Sequence, residues 1–364
     1  MGRMPPDQLT QPEPETTERA VLAVLSGRPL TQAATEARID PANLSDALQV
    51  FQQAGRQAVA DHAAQHEWWH IYLHFTDWAH ADRTFTSHVL PLLHAADADG
   101  TPNGWWYTRK HPCWRLRLNR HNQFETTTPI ADGLDRLVTE GHLHRWWPGI
   151  YEPETAAFGG PTSMAAAHRL FVADSREIQQ LPLRKDLSLG PRELSILLCT
   201  TLMRAAGLEW YEQGDVWHHV ITAEHRSSIA DISRETLDAR AAEIHSLLLA
   251  DINSLLSPAG PLEPVAEWVV AFRRAGQSLA DAAQQGTLDR GLRQVLSYHV
   301  IFHWNRLGLS LRAQSALAWA ARTAILHPTA LEPGTDTTGR PDTPIGDGTR
   351  RDSPTRINPQ AGRE

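Results

Sequence analysis

Hydrophobic side chains occupy every second position from Trp69 to Phe75, and histidine or tyrosine fills the positions between them. This period of two predicts a strand with one apolar face. Alternation returns at Trp105–Leu118 and at His142–Trp147, with helical patterns over 79–93 and 129–140 between the three segments. The order strand, helix, strand, helix, strand across residues 67–152 predicts the α+β class, with a small and mainly antiparallel sheet.

Apolar positions elsewhere recur with the period of a helix. After Gly160 the predicted helices span residues 163–172, 191–206, 215–223, 233–255, 264–285 and 288–325. Helices of this number and amphipathicity would cover the sheet and enclose a site. Before the first strand, short helical patterns cover 18–25, 31–37 and 41–58, with Asp40 placed as N-cap before Pro41. They predict a small N-terminal helical unit that resembles a helix-turn-helix.

These patterns divide the chain into four predicted parts. Residues 1–15 are polar and proline-rich, and residues 329–364 hold Pro, Gly, Thr, Asp and Arg with almost no large apolar side chain, so both segments are predicted to be disordered. Residues 16–62 form the helical unit and residues 66–328 the main α+β domain.

Charge singles out one segment. The chain has a formal net charge of −8, yet WWYTRKHPCWRLRL at Trp105–Leu118 holds Arg109, Lys110, Arg115 and Arg117 without an acidic residue. In a strand, Arg115 and Arg117 share a face, roughly 7 Å apart at their Cα atoms. Two planar guanidinium groups at that spacing predict a clamp for a carboxylate or phosphate. The alternative interpretation is a solvated basic face over a hydrophobic one.

Two further segments carry candidate chemistry. Glu154, in the segment YEPETAAFGG that follows the third strand, could pair with the arginines. Gly159 and Gly160, at the end of the same segment, either let backbone amides approach a ligand or form an ordinary turn.

His299 and His303 lie one helical turn apart, and Arg306 follows on the same helical face. A histidine there could act as a general base, or could be a buried core residue. Zinc binding requires a third protein ligand, and no companion motif provides one, so no metal site is expected.

Several function classes are disfavoured. Residues 31–53 of the helical unit hold Arg38 as the one cation against Glu36, Asp40 and Asp46, so direct nucleic-acid binding is not expected. No apolar run is long enough to cross a bilayer. Residues 1–15 lack the apolar stretch of a secretory signal, which predicts a cytoplasmic protein.

Taken in order, these segments resemble a known family. The series comprises an aromatic strand near residue 68, then WWYTRKHPCWRLRL, YEPETAAFGG, MAAAHRLFVADS, LLCTTLMRAAGLEWYEQGDVW and HWNRLG. It is similar to the C-terminal elimination domain of class I lantibiotic dehydratases, which also occurs alone as the thiopeptide-type bacteriocin biosynthesis protein. The resemblance covers about residues 66–325.

This resemblance implies work on a ribosomally made precursor peptide, with no cofactor. In complete dehydratases, one domain glutamylates Ser or Thr from glutamyl-tRNA, and the elimination domain removes the glutamate to leave a dehydroamino acid. That step needs an anion clamp and a base. The implied substrate-binding residues are Arg109, Arg115, Arg117, Glu154, Gly159, Gly160 and Arg306, and the candidate catalytic residues are Tyr298, His299 and His303.

The chain departs from the family pattern at two positions. Ala157 stands where an arginine usually precedes the aromatic-Gly-Gly, and Ile301 stands where a histidine usually precedes the Asn-Arg of the final helix. Three functions therefore stay open: glutamate elimination beside a separate glutamylating dehydratase, a [4+2] cycloaddition that forms a pyridine ring, and peptide binding without catalysis. For cycloaddition, neutral donors such as Ser297, Tyr298 or His299 would polarise an amide. A homodimer is also allowed.

Overall fold

The computed structural model describes residues 14–98, 104–119, 127–223 and 228–327. Its strands are β1 (Trp68–Phe75), β2 (Trp105–Lys110), β3 (Cys113–Asn119) and β4 (Leu143–Gly149). Its α-helices are α1 (Pro14–Leu25), α2 (Leu30–Ala37), α3 (Pro41–Glu67), α4 (Ala81–Thr84), α5 (Leu90–Ala98), α6 (Thr127–Thr139), α7 (Pro161–Gln180), α8 (Pro191–Ala205), α9 (Trp210–Thr222), α10 (Arg234–Leu249), α11 (Ile252–Leu255), α12 (Ala266–Gln284), α13 (Leu292–Leu307) and α14 (Leu311–Leu326). The predicted α+β class is confirmed. Of the segments predicted to be disordered, 1–13 and 329–364 lie outside the described residues, whereas Pro14 and Glu15 begin α1.

The four strands form one antiparallel sheet in the order β2-β3-β1-β4. The segment Trp105–Leu118, predicted as one strand, is instead the hairpin β2–β3, with Lys110 opposite Cys113. The continuous-strand prediction was wrong because Pro112 has no N–H for a sheet ladder, and the chain turns at His111 and Pro112.

The first face of the sheet is hydrophobic. Trp69, Ile71, Leu73 and Phe75 of β1 lie on it with Trp114 and Leu116 of β3, and the segment 81–98 and α6 pack against them. The alternation predicted for β1 is therefore confirmed. The second face carries Trp68, His70 and Tyr72 of β1, and α7 packs over its Trp68 end.

Long helices build a second hydrophobic core around Trp217, Trp268 and Trp304, formed mainly by α8, α9, α10, α12, α13 and α14. The segment 288–325, predicted as one helix, is two. Gly308 ends α13 with a φ of 82°, a left-handed conformation that glycine adopts without a Cβ penalty. The Ser310 hydroxyl then accepts a hydrogen bond from the Ala313 amide and begins α14.

The N-terminal helices have a small core of their own, centred on Val21, Ala34 and Leu44. As predicted, the Asp40 carboxylate caps α3 by accepting from the Ala42 amide at 2.8 Å. Helix α3 then runs without a break through residues 62–66, where the sequence placed a boundary, and ends where β1 begins. The division into a helical unit and a main domain remains a proposal.

Candidate active site

Arg117 lies on the second face of the sheet, where its side chain is buried by aromatic rings. The residue is 3% exposed. Its guanidinium carbon is 4.1 Å from the ring centroid of Trp106 and 5.3 Å from that of Tyr151. Nη1 donates to Thr108 Oγ1 at 2.9 Å and to the Arg115 carbonyl at 3.2 Å. Strands β2 and β3 and the segment after β4 thus position this cation together.

The charge of Arg117 is not matched by a bonded carboxylate. Arg117 makes no salt bridge with a described residue, and its Nε has no hydrogen-bond partner there. Burial lowers the pKa of Arg117 to about 10, while nearby Tyr151 and Glu154 favour the charged form. Oxygen Oε2 of Glu154 is also buried without a partner in the described part of the chain. A cation and a carboxylate that lie close without bonding leave hydrogen-bonding capacity for a ligand.

Two histidines border this site. His70 lies opposite Arg117 in the β1–β3 register. Its Nδ1 is 3.2 Å from the Ile150 carbonyl, and its Nε2 has no partner among the described residues. His168 of α7 has its Nε2 2.7 Å from the Tyr151 hydroxyl. We call Arg117, His70, Tyr151, Glu154 and His168 the arginine pocket.

The histidines of the arginine pocket are neutral. Burial and the charge of Arg117 lower the pKa of His70 to about 4 and that of His168 to about 3. Burial raises the pKa of Tyr151, and Glu154 adds to that effect. At neutral pH the pocket therefore presents neutral imidazoles and a neutral phenol around one guanidinium.

The diglycine does not provide free amides. The Gly159 amide donates to the Ala156 carbonyl at 3.4 Å and the Gly160 amide to the Thr155 carbonyl at 2.9 Å. A Cβ at Gly160 would lie 2.8 Å from an Asp289 oxygen, and the φ of 108° disfavours other residues. The ligand-binding interpretation is not supported, because the turn uses both amides and packs against the segment before α13.

Arg109 is not part of the arginine pocket. It lies opposite Trp114 in the hairpin, so its side chain is on the first face of the sheet. Its guanidinium bonds to Asp82 and lies 4.7 Å from the Trp114 ring centroid. The expectation that Arg109 joins Arg115 and Arg117 in one site was wrong. Arg109 pairs with Trp114 across the turn, and neighbouring positions along β3 point to opposite faces, so Arg109 and Arg115 lie on different faces of the sheet.

His303 and Arg306 belong to a separate buried network. The His303 Nδ1 is 2.9 Å from Asp174 Oδ1, and its Nε2 is 3.1 Å from Ser195 Oγ. Arg306 Nε donates to Asp174 Oδ2 at 2.6 Å. We call Asp174, Ser195, Trp268, His303, Trp304 and Arg306 the helical network. Hydrogen bonds link Ser195, His303 and Asp174 in the arrangement of a hydrolase catalytic triad. These groups are buried, however: the His303, Asp174 and Arg306 side chains are 0% exposed and Ser195 is 1% exposed.

The electrostatics of the helical network centre on Asp174. Burial disfavours its charged form, but His303 and Arg306 outweigh that effect and lower the pKa of Asp174. The Trp268 indole donates to the same carboxylate at 2.9 Å, and the Trp304 indole donates to Ser195 Oγ at 2.6 Å. The geometry fits a structural clasp between α7, α8, α12 and α13.

His299 and Tyr298 lie between these two regions. His299 is 1% exposed, and neither ring nitrogen has a partner among the described residues. Its ring centroid is 4.9 Å from that of Phe158, and burial with nearby Arg306 lowers its pKa to about 3. Tyr298 is half-buried, 6.2 Å from Phe158 between ring centroids. Neither has a hydrogen bond or ring contact with Arg117.

The structure therefore brings together Arg117 and Glu154 of the predicted site, places Arg115 beside them, and separates His303 and Arg306. Sequence reasoning missed Tyr151, His168 and the role of His70. Alternation had placed His70 on the polar face of β1, but the sequence did not give its cross-strand partner. At the two departures from the family pattern, Ala157 packs against the aromatic cluster and Ile301 is buried in the helical core.

Two further findings concern ligands and membranes. The described residues contain no group of three or more His, Cys, Asp or Glu side chains placed to hold a metal ion. None of the described helices combines the length and the apolarity needed to span a bilayer.

Comparison with known proteins gives one family. Residues 68–325 match the family described as lantibiotic biosynthesis dehydratase C-term. A comparison with curated proteins gives no match. Among solved structures, the tRNA dependent lantibiotic dehydratase MibB from Microbispora sp. 107891 is 17% identical with a TM-score of 0.54, over 73% of this chain and 28% of that chain. The chain thus spans about 28% of MibB, and this likeness shows the fold.

Two smaller proteins are also similar. The pyridine synthase TbtD from thiomuracin biosynthesis is 15% identical with a TM-score of 0.49, over 71% of this chain and 98% of that chain. TsrL is 14% identical with a TM-score of 0.48, over 74% of this chain and 99% of that chain.

Proposed function

The chain belongs to the lantibiotic biosynthesis dehydratase C-terminal family, and from this premise we propose that it removes glutamate from glutamylated Ser or Thr of a precursor peptide. The observation that carries the proposal is Arg117, a buried guanidinium without a bonded carboxylate among the described residues. Glutamate leaves this reaction as a carboxylate, and a buried guanidinium stabilises that developing charge.

The elimination step assigns work to the other groups of the arginine pocket. A base takes the α-proton, the Cα–Cβ double bond forms, the Cβ–O bond breaks, and glutamate departs with the electron pair. A glutamyl group transferred from tRNA is esterified through its α-carboxyl and keeps a free ammonium. Glu154, with Oε2 unpartnered, is suited to bind that ammonium.

His70 is the candidate base of the pocket. Its Nε2 has no partner among the described residues, and His70 lies opposite Arg117 in the β1–β3 register. Burial and then the Arg117 charge lower its pKa. A carboxylate bound at Arg117 would offset that charge and raise the pKa of His70 toward neutrality. His70 pairs with Arg117 across the β1–β3 register, whereas Tyr298, His299 and His303, proposed from the sequence, lie on α13.

The experiment uses the purified full chain and a glutamylated peptide that an intact dehydratase of the family converts to a dehydroamino acid. We expect release of free glutamate with an equal amount of dehydrated peptide, both measured by mass spectrometry. The peptide alone and the peptide with heat-denatured protein are the controls. If the folded protein releases no glutamate from this competent substrate, the elimination proposal fails.

A second function, pyridine-forming [4+2] cycloaddition, is favoured by a different observation. Burial keeps His70, His168 and His299 neutral, with pKa values of about 4, 3 and 3, and Ala157 adds no second cation. Neutral donors and enforced proximity suit the joining of two dehydroalanines. A peptide with two dehydroalanines should then lose its leader segment as the ring aromatises, and an unchanged peptide mass would reject this function.

We further propose that the chain acts beside a separate glutamylating dehydratase and works in the cytoplasm. The support for the association is that residues 68–325 match a family described as the C-terminal part of a lantibiotic biosynthesis dehydratase. Copurification with the dehydratase of the same pathway tests the association.

A further inference from the structure

The second face of the sheet continues beyond the arginine pocket as a surface of stacked rings and cations. Tyr72 of β1 stacks on Trp147 of β4, with ring centroids 5.1 Å apart and planes 13° apart. The Arg145 guanidinium carbon is 4.5 Å from the Trp147 ring centroid, and that of Arg115 is 5.8 Å from the Tyr72 ring centroid. We call Tyr72, Arg115, Arg145 and Trp147 the aromatic platform.

The aromatic platform is accessible to solvent, whereas the first face of the sheet is covered. Arg145 is exposed, and Tyr72, Arg115 and Trp147 are half-buried. On the first face, by contrast, Trp105 and Trp114 are each 1% exposed. Neither Arg115 nor Arg145 forms a salt bridge with a described residue. Half-buried aromatic rings beside guanidinium groups that lack a salt bridge to a described residue provide stacking and charge together.

The backbone is adapted to hold the Tyr72 ring in place. Gly149 lies beside Tyr72 on the neighbouring strand, and a Cβ at residue 149 would come within 2.6 Å of the Tyr72 ring. The ring thus occupies space that any other residue at 149 would need. His70 also stacks on Tyr72, with ring centroids 4.5 Å apart.

We propose that the aromatic platform binds an extended acidic stretch of the precursor peptide, with a planar side chain stacked at Trp147 and carboxylates at Arg115 and Arg145. This rests on the proposed function for the identity of the peptide, although peptide binding does not require elimination. Charge complementarity supports an acidic occupant, because these cations stand out in a chain with a net charge of −8.

Continuity with the arginine pocket supports the same peptide. His70 lies opposite Arg117 and stacks on Tyr72, so it belongs to both surfaces. Two positions along a strand cover about 7 Å. An extended peptide with its reacting residue at Arg117 would therefore reach Tyr72 and Trp147 with the next two or three residues.

The test measures peptide binding by fluorescence anisotropy with the full chain. The probe is a short labelled Gly-Ser peptide that carries one Phe between two Glu. Comparison probes replace Phe with Ala or both Glu with Lys, and a single-stranded RNA of similar length represents the other polymer that stacked rings and arginines can hold. We expect the Glu-Phe-Glu peptide to bind more tightly than all three.

Variants then locate the binding. Trp147→Ala should weaken binding of the Glu-Phe-Glu peptide about tenfold, a loss typical of one stacked aromatic contact. Gly149→Ala should weaken it several-fold by displacing Tyr72. If Gly149→Ala fails to fold, Arg145→Glu, at an exposed position, tests the platform by reversing the charge at a proposed carboxylate contact. Tyr211→Ala, which truncates a 68% exposed ring on α9, should change nothing.

The outcomes separate this inference from the proposed function. Absence of binding, tighter binding of the Lys peptide or the RNA, or equal affinity of the wild type and Trp147→Ala would overturn the platform. Platform-dependent binding without glutamate release would overturn elimination and leave the platform standing. If the protein releases glutamate but Trp147→Ala and Arg145→Glu leave peptide binding unchanged, the aromatic platform is overturned and the elimination proposal stands.

Discussion

Arg117 and Arg306 are both buried, 3% and 0% exposed, but their surroundings differ. Arg306 bonds to Asp174, whose carboxylate also meets His303 and Trp268. Arg117 faces two aromatic rings and a hydroxyl, with no salt bridge to a described residue. Arg306 has a bonded carboxylate inside the protein, and Arg117 has none among the described residues.

Burial alone therefore does not identify a site. A buried charge is costly in either place. In the helical network the Asp174 carboxylate offsets the cost for Arg306, whose Nη1 and Nη2 have no partner among the described residues. In the arginine pocket the cost of burying the charge is offset without a bonded carboxylate from a described residue. A binding site for an anion requires a cation of this kind.

Asp174→Ala should destabilise the protein most. The change leaves Arg306 buried without its carboxylate, and breaking a buried pair in this way costs about 3–5 kcal/mol. Denaturant unfolding measures the loss. The matched control is Asp238→Ala, which removes an exposed pair with Arg234 and should cost less than about 1 kcal/mol. Equal effects of the two changes would show that the helical network is not a structural clasp.

Arg117→Met should remove function without loss of stability. We expect glutamate release to fall by about two orders of magnitude, because one positioned donor to a developing oxyanion is worth about that much. The free energy of unfolding should stay the same or rise, since an unpaired buried charge is gone. Arg109→Met is the control, with an ion pair on the other face of the sheet, and should keep activity. A stability loss in Arg117→Met as large as that of Asp174→Ala would remove the distinction.

Acidification should weaken the protein through its buried histidines before it affects Asp174. The folded-state pKa values of His70, His168 and His299 lie below the ordinary 6.5, so the stability from keeping them neutral is full above pH 6.5. It is lost as the pH falls toward about 4, by on the order of 1 kcal/mol per histidine and pH unit. The pKa of Asp174 is lowered, so its contribution is present above its ordinary range and is lost only at still lower pH.

His299→Phe sharpens this pH test. His299 has no hydrogen-bond partner among the described residues, so the change removes a titrating group without removing a hydrogen bond. Unfolding free energies measured between pH 7 and pH 4 should then fall less steeply than in the wild type. An unchanged slope would mean that His299 does not contribute to the acid sensitivity.

The elements with a clear repeat were predictable from the sequence. The alternation at Trp69–Phe75 predicted β1 and its apolar face, and Asp40 before Pro41 predicted the start of α3. The prediction erred at Trp105–Leu118, where one run of alternation hid a turn, and at Gly308, where one helical pattern hid two helices. In both places a local backbone requirement prevailed over a pattern of hydrophobicity that continued across it.

The candidate site was predictable only in part. The excess of arginines in Trp105–Leu118 pointed to Arg117, and the motif around Glu154 pointed to its neighbour. The sequence analysis also grouped Arg109 and Arg306 with them. In the structure, Arg109 bonds to Asp82 and Arg306 bonds to Asp174. Tyr151 and His168 were missed because their 2.7 Å contact joins a loop to a helix.

Local patterns along the chain were enough to predict the fold class, the strand and helix periods, the family resemblance and the segment richest in cations. Which arginine bonds to a carboxylate, and which has none bonded among the described residues, depends on the folded arrangement. The physical reason is that side-chain periodicity is local, whereas the charge state and bonding of a buried group depend on neighbours from distant strands and helices. Arg117 and Arg306 are alike in the sequence, and only their partners distinguish a candidate binding site from a structural clasp.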